Sequence, residues 1–102
     1  MKVSVFDVDW DEGNTSKCQK HGITLEMIEE FLAGDFVAFP DIYHSTAEER
    51  IFAFGINPQN GRHMAVMFTL REYDQKLHVR PISARYMHSK EVNKYEKEIA
   101  KI

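Results

Sequence analysis

Apolar residues alternate with acidic ones at the start of the chain, where Val3, Val5 and their neighbours predict a strand ending near Asp9. The turn-like Trp10-Asp11-Glu12-Gly13-Asn14 follows, with Asp11 placed to cap a short helix running toward Lys20 and Gly22 placed to close it. Thr24 can cap a second helix, because Leu25, Ile28, Phe31 and Leu32 recur at helical spacing before Gly34. The period then falls to two. Phe36 to Phe39 reads as a short strand stopped by Pro40, and residues 42–49 read as a loop. Two alternating runs, residues 50–56 and 63–71, flank an Asn60-Gly61 turn signal and predict a hairpin. A second turn over residues 72–75 leads into a further strand over residues 76–85, completing a meander. Ser89 can cap a last helix whose Val92, Tyr95, Ile99 and Ile102 share one face and need an apolar surface to cover, most simply the sheet. The predicted order is strand, two helices, four strands, helix: an α+β fold built on a mainly antiparallel twisted sheet.

Length and composition fit one domain over residues 1–102 with its own core, since 43% of the 102 residues are hydrophobic and seven are Phe. Cys18 is alone, so no intramolecular disulfide is available. The N-terminus lacks the apolar run of a signal peptide, and no stretch approaches the roughly eighteen apolar residues of a membrane span. A cytoplasmic location, with no membrane partner, is the expectation.

Charge is unevenly placed. Residues 1–61 hold four Lys/Arg against eleven Asp/Glu, whereas residues 62–90 hold six against two. Either solvated charges are segregated, or the second stretch forms a basic face able to meet phosphates despite the net charge of −3.

The chemistry concentrates between Arg71 and Arg85. Leu77 and Val79 share one strand parity, whereas Ile82 and Ala84 share the other. A regular strand would therefore switch its apolar face midway. A one-residue bulge at Pro81 would restore a single apolar face and bring Arg80 and Arg85 to a common side. Arg71 and Glu72 close the preceding strand. They can be a rim ion pair worth well under ~1 kcal/mol, or an arginine fork for phosphate with Glu72 as proton acceptor. Cys18 and His21 have a metal-compatible spacing, but no second pair follows, and no metal is expected. Lys20 and His21 at a helix end also fit simple stabilisation of the helix dipole. Phosphate-loop, dinucleotide and serine-elbow patterns are absent.

Together, Trp10-Asp11-Glu12, Lys20-His21-Gly22-Ile23, Glu48-Glu49-Arg50, Phe68-Thr69-Leu70-Arg71, Arg80-Pro81-Ile82-Ser83-Ala84-Arg85, Glu91 and Tyr95 resemble the BrnT family of type II toxin–antitoxin toxins. The resemblance runs in order along nearly the whole chain. Its specific parts are the Lys-His-Gly and Ile-Ser-Ala-Arg blocks. The chain differs in a Trp10-to-Lys20 spacing one residue short, in Cys18 where the family favours Asn, and in Pro81 where it favours an apolar residue such as Ile. The resemblance implies a RelE-like fold, a ribonuclease activity that arrests translation, and neutralisation by a BrnA-type ribbon-helix-helix antitoxin. A homodimer or a hetero-tetramer with that antitoxin would be the assembly. With RNA as substrate and no cofactor, Arg71, Glu72, Arg85 and His21 are the expected catalytic residues. Lys20, Arg80, Ser83 and Tyr86 are the expected RNA- and phosphate-binding residues. Two other readings stay open: a non-catalytic RNA- or protein-binding module, and a degenerate toxin homologue kept as an antitoxin partner.

Overall fold

The computed structural model describes residues 7–41 and 49–100. Val3, Val5, the greater part of the expected loop at 42–49, and Ile102 lie outside the described residues. The elements are β1 (Asp7–Val8), α1 (Glu12–Cys18), α2 (Leu25–Ala33), β2 (Val37–Pro40), β3 (Arg50–Ile56), β4 (His63–Tyr73), β5 (Lys76–Tyr86) and α3 (Ser89–Ala100). The strands form one five-stranded mixed sheet in the order β1-β5-β4-β3-β2. β1 lies parallel to β5 and every other neighbour is antiparallel. The predicted α+β order and meander are present. What periodicity could not show is that the first strand pairs in parallel with the last, at the edge opposite β2.

Helix ends follow local chemistry. Asp11 and Asn14 form a reciprocal capping box: the Asp11 carboxylate accepts from Asn14 N at 3.0 Å, and Asn14 Oδ1 accepts from Asp11 N at 2.7 Å. α1 ends at Cys18 with Gln19 as its cap, so Gly22 does not close it as expected. Gly22 instead supplies a φ of 81° in the turn beyond, a conformation that Gly adopts without strain. Thr24 caps α2 as expected, accepting from Met27 N at 3.1 Å. In α3 the first helical bond runs from Val92 N to His88 O, which makes His88 the capping residue and Ser89 the first helical one. Glu91 reaches back to accept from His88 N at 3.0 Å, the half of a capping box that needs no hydroxyl.

Two hairpin details also differ from expectation. β4 continues to Tyr73, so the second turn is only Asp74 and Gln75, both with positive φ (53° and 58°). Two left-handed residues are what a tight, twist-matched hairpin turn requires. Pro40 does not stop β2 but ends it on the sheet edge, where a missing N–H costs no ladder bond.

α1 and α2 cover one face of the sheet. Cys18, Ile23, Ile28, Phe31, Leu32 and Phe36 pack there against Ala53, Met64, Val66, Phe68, Val79 and Ala84. Each large side chain in that set contributes roughly 1.5–3 kcal/mol by leaving water. Gly55 is required for close approach, because an added Cβ would lie 2.8 Å from the Phe31 ring. The other face carries Phe52, Phe54, Met67, Ser83 and Arg85 by register. α3 covers this second face only in part. None of its residues is buried, Ile99 is exposed, and a cleft of about 330 Å³ separates Tyr95 and Lys94 from Phe39, Phe52 and Phe54.

Asn14 joins the helical layer to the sheet. Its buried amide donates to Asp9 O and to Pro81 O, both at 2.9 Å, while its oxygen caps α1. Asn14→Ala strands three backbone groups and is expected to cost about 2–4 kcal/mol. Urea denaturation would show the drop as a lower midpoint with an unchanged slope; a midpoint equal to the wild type would refute it.

Candidate RNA-binding face

The register of β4 and β5 slips once. Met67 pairs with Ser83 but Phe68 pairs with Pro81, leaving Ile82 as the extra residue. The bulge is therefore one position past the proline, which keeps its own place in the register. Its consequence is the expected one: Val79, Pro81 and Ala84 are all buried toward the helices. Arg80 and Arg85 lie opposite Thr69 and Ala65, four residues apart on a regular strand, and so project from a common face. Arg71, opposite His78, belongs to that face as well. The four-residue step sets the Arg80 and Arg85 backbones about 13 Å apart. They can meet neighbouring phosphates along a strand more readily than one phosphate together.

Both arginines already hold carboxylates. Arg85 grips Glu91 of α3 through two parallel bonds of 2.6 and 2.7 Å. That guanidinium, with help from His88 N, draws the Glu91 carboxyl from 4.5 down to about 2. Arg80 Nη1 reaches Asp11 Oδ2 at 2.5 Å, and this contact, with the bond from Asn14 N, lowers the Asp11 carboxyl below its usual range.

The Arg80 pair is one of three. Lys76 Nζ meets Asp7 Oδ2 at 2.8 Å, and His78 Nδ1 meets Asp9 Oδ1 at 3.1 Å. Asp7, Asp9 and Asp11 thus face Lys76, His78 and Arg80 along the β1–β5 seam, each set spaced by two. Comparing charge by long stretches, residues 1–61 against 62–90, missed this pairing; the matched period of two in the two segments was the available signal. Tyr73 adds to the middle rung. Its hydroxyl contacts both Asp9 oxygens at 2.7 and 2.9 Å, and its ring stacks on the His78 imidazole with centroids 3.7 Å apart. The bond to Asp9 raises the Tyr73 hydroxyl above its ordinary pKa.

Between the arginines the face contains buried polar atoms without partners. Arg50, Thr69 and Arg80 form one row across β3, β4 and β5. Thr69 is 4% exposed with Oγ1 unpartnered, and His78 is 7% exposed with Nε2 unpartnered. A buried hydroxyl flanked by guanidinium groups suits an anion, which would both satisfy the hydroxyl and bring charge to the arginines.

The other expected site residues distribute unequally. Ser83 lies on the face of Arg80 and Arg85. Glu72, adjacent to Arg71 and opposite Leu77, alternates to the other face. Tyr86 also faces the helical side, where it packs against the core, stacks under Arg62 at 3.5 Å and accepts from Asn60 Nδ2 at 2.9 Å. Lys20 and His21 are exposed in the turn after α1, in the layer covering that opposite face. Cys18 is fully buried in the core, and burial pushes its thiol up to about 11, while His21 stands in solvent. Among the described residues no three His, Cys, Asp or Glu side chains converge as a metal site would need. Arg50 and Thr69, named from sequence only within the family resemblance, and His63, Tyr73 and His78, given no site role from sequence, complete the face. His63 lies beside α3, 3.7 Å from Glu96 and edge-on to Tyr95.

A five-stranded mixed sheet, with α1 and α2 on one face and an arginine-bearing face partly covered by α3 on the other, is the frame of this small α+β domain. The chain belongs to the family described as "Ribonuclease toxin, BrnT, of type II toxin-antitoxin system", whose model matches residues 10–91. It is thus a type II toxin of the ribonuclease kind, and an antitoxin partner follows from that class. No curated protein matches the chain. Among the described residues no helix is long and apolar enough to cross a membrane.

The Arg85–Glu91 clasp has a testable pH signature. Because the folded Glu91 carboxyl titrates at about 2 instead of 4.5, its contribution is fully present above the ordinary value and is lost as pH falls through the folded one. Glu91→Gln is expected to melt earlier than the wild type near neutrality, with the gap narrowing as pH falls from about 5 toward 2. Melting temperatures of the two proteins across that range check this; a gap independent of pH would count against the clasp.

Proposed function

We propose that this toxin is a metal-independent endoribonuclease that arrests translation by cutting RNA on the sheet face bearing Arg71, Arg80 and Arg85. The observation that carries the reading is the bulge at Ile82, which puts Arg80 and Arg85 on the face of Arg71 beside the unpartnered Thr69 hydroxyl. Arginines serve here because the planar guanidinium fork can grip two phosphate oxygens at once and stays charged at any relevant pH. RNA brings its own nucleophile in the 2′-hydroxyl. The enzyme need only remove that proton, stabilise the charge that grows on phosphorus oxygens, and let the 5′-oxygen leave. None of these steps requires a metal. Arg80, Arg71 and Ser83 bind and stabilise the phosphate, and Arg85 holds an adjacent one once Glu91 yields.

Lys20, His21 and Tyr86 serve, in this reading, as contacts for flanking nucleotides rather than for the reacting phosphate, since they belong to the other side of the sheet. The partner is an antitoxin of the BrnA ribbon-helix-helix type, assembled with the toxin as a hetero-tetramer. One observation favours a second reading, in which the domain binds RNA or its antitoxin without cleaving anything: Arg80 and Arg85 both rest on carboxylates. Competition separates the two readings, because a productive phosphate must displace Asp11 and Glu91.

Expression of the wild type is expected to stop growth and to leave cut RNA, with relief when a neighbouring antitoxin frame is co-expressed. Arg71→Ala and Arg80→Ala should each slow cleavage of single-stranded RNA by roughly 10²–10³-fold, the scale for losing one transition-state donor, without loss of the folded circular dichroism spectrum. Salt-sensitive RNA binding with no cleavage products in the wild type would establish the non-catalytic reading instead. Toxicity that survives both substitutions would sink this assignment.

A further inference from the structure

RNA transphosphorylation needs a proton acceptor, and the arginine face supplies one outside the residues singled out from sequence. Glu72 alternates to the opposite side, His21 lies beyond α1, and the Tyr73 hydroxyl is committed to Asp9. His78 remains. It is the cross-strand partner of Arg71, two residues from Arg80, on the same face as both. Its imidazole is held by three constraints: the strand, the stacked Tyr73 ring, and the 3.1 Å contact between Nδ1 and Asp9 Oδ1.

A carboxylate at Nδ1 fixes the neutral tautomer, because Nδ1 must carry the proton to donate it. The lone pair is then on Nε2, which has no hydrogen-bond partner. A buried, unpartnered ring nitrogen is unfavourable in a histidine kept only for packing, and a proton donor brought to it would relieve that cost. We propose that His78 is the general base of the cleavage reaction, with Asp9 as its positioning residue. The proposal rests on the ribonuclease reading above.

In the resting molecule Nε2 is covered. Tyr73, whose ring stacks on the imidazole, is itself exposed beside the β4–β5 turn. Entry of RNA displaces the Tyr73 ring and uncovers Nε2. Nε2 then takes the 2′-hydroxyl proton as the 2′-oxygen bonds to phosphorus; the bond from phosphorus to the 5′-oxygen breaks, and that oxygen takes a proton from water. The products are a 2′,3′-cyclic phosphate and a 5′-hydroxyl end, and the imidazolium returns its proton to solvent. Charge on all sides tunes the step: Asp7 and Asp9 from β1, Asp11 at the start of α1, Arg71 and Tyr73 from β4, and Lys76 and Arg80 from β5.

The test uses the full chain, a labelled mixed-sequence single-stranded RNA, and its 2′-deoxy counterpart, which can bind but cannot react. His78→Gln is expected to lower kcat by about 10²–10⁴-fold, the range for a general base, and to leave affinity for the deoxy strand within about twofold of wild type. The fall in rate on the acid side of the wild-type pH profile should disappear in this variant. Asp9→Asn should lower kcat with KM unchanged, as loss of positioning rather than of binding requires. A second measurement needs no variant: the Nε2 nitrogen resonance of His78 should move when the deoxy strand is added. Cleavage by His78→Gln at the wild-type rate, with Arg71→Ala and Arg80→Ala still impaired, would overturn the role of His78 and spare the ribonuclease reading. An Nε2 resonance that does not move would overturn it equally. Wild-type protein that leaves the RNA intact would overturn both readings together.

Discussion

Between Pro81 and Ser83, β5 carries one residue more than β4 can pair, and the remainder of the molecule is arranged around that surplus. Without the slip, the strand would present Val79 to the helices and Ala84 to the opposite side, or the reverse. With it, Val79, Pro81 and Ala84 all reach the core while Arg80, Ser83 and Arg85 share the open face. The bulge is also anchored from outside the sheet. The Pro81 carbonyl is taken by the Asn14 amide, whose other proton goes to Asp9 O and whose oxygen caps α1. One buried side chain therefore ties the irregular part of β5, the end of the first strand and the start of the first helix. An amide is suited to this, having two donors and an acceptor on a rigid plane.

Electrostatics complete what packing starts. The two halves of the chain have opposite charge balances, and the seam between β1 and β5 is where they meet. The rungs differ in chemistry. Lys76 contributes a mobile ammonium, Arg80 a planar fork, and His78 a titratable ring shielded by Tyr73. At exposed sites such pairs add little stability one by one. Their larger effect is on register, since shifting β1 by one residue would set carboxylates against Leu77 and Val79. The same pairing neutralises the basic side chains of the seam, in keeping with a chain of net charge −3.

Much of the fold was legible in the sequence because its signals are local. Asp11, Thr24 and the alternation of residues 50–56 and 63–71 act within a few positions of themselves. The parity conflict between Val79 and Ala84 revealed even the bulge, displaced by one residue. Non-local relations were not legible. Asp7 and Asp9 share a period of two with Lys76 and His78, but nothing local says that segments some seventy residues apart are neighbours, so the parallel seam and the His78 environment stayed hidden. Helix ends were missed for a related reason: His88 caps α3 through a backbone bond to Glu91, which no side-chain preference at position 88 foretells. For the candidate face, Arg71, Arg80, Arg85 and Ser83 were found because strand parity groups them. Glu72 was chosen by adjacency to Arg71, and adjacency in a strand means opposite faces.

The pairing of β1 with β5 also imposes an order on assembly. The β4–β5 hairpin closes through a two-residue turn and can form as soon as its own residues are available. The β1 strand, synthesised first, has no partner until residues 78 and 79 have been made. A chain emerging from the ribosome therefore holds an unpaired acidic strand and no arginine face until most of its length exists. The last covering to arrive is α3, attached mainly through Glu91 and His63. This topology delays completion of the arginine face to the final moments of the chain's own synthesis.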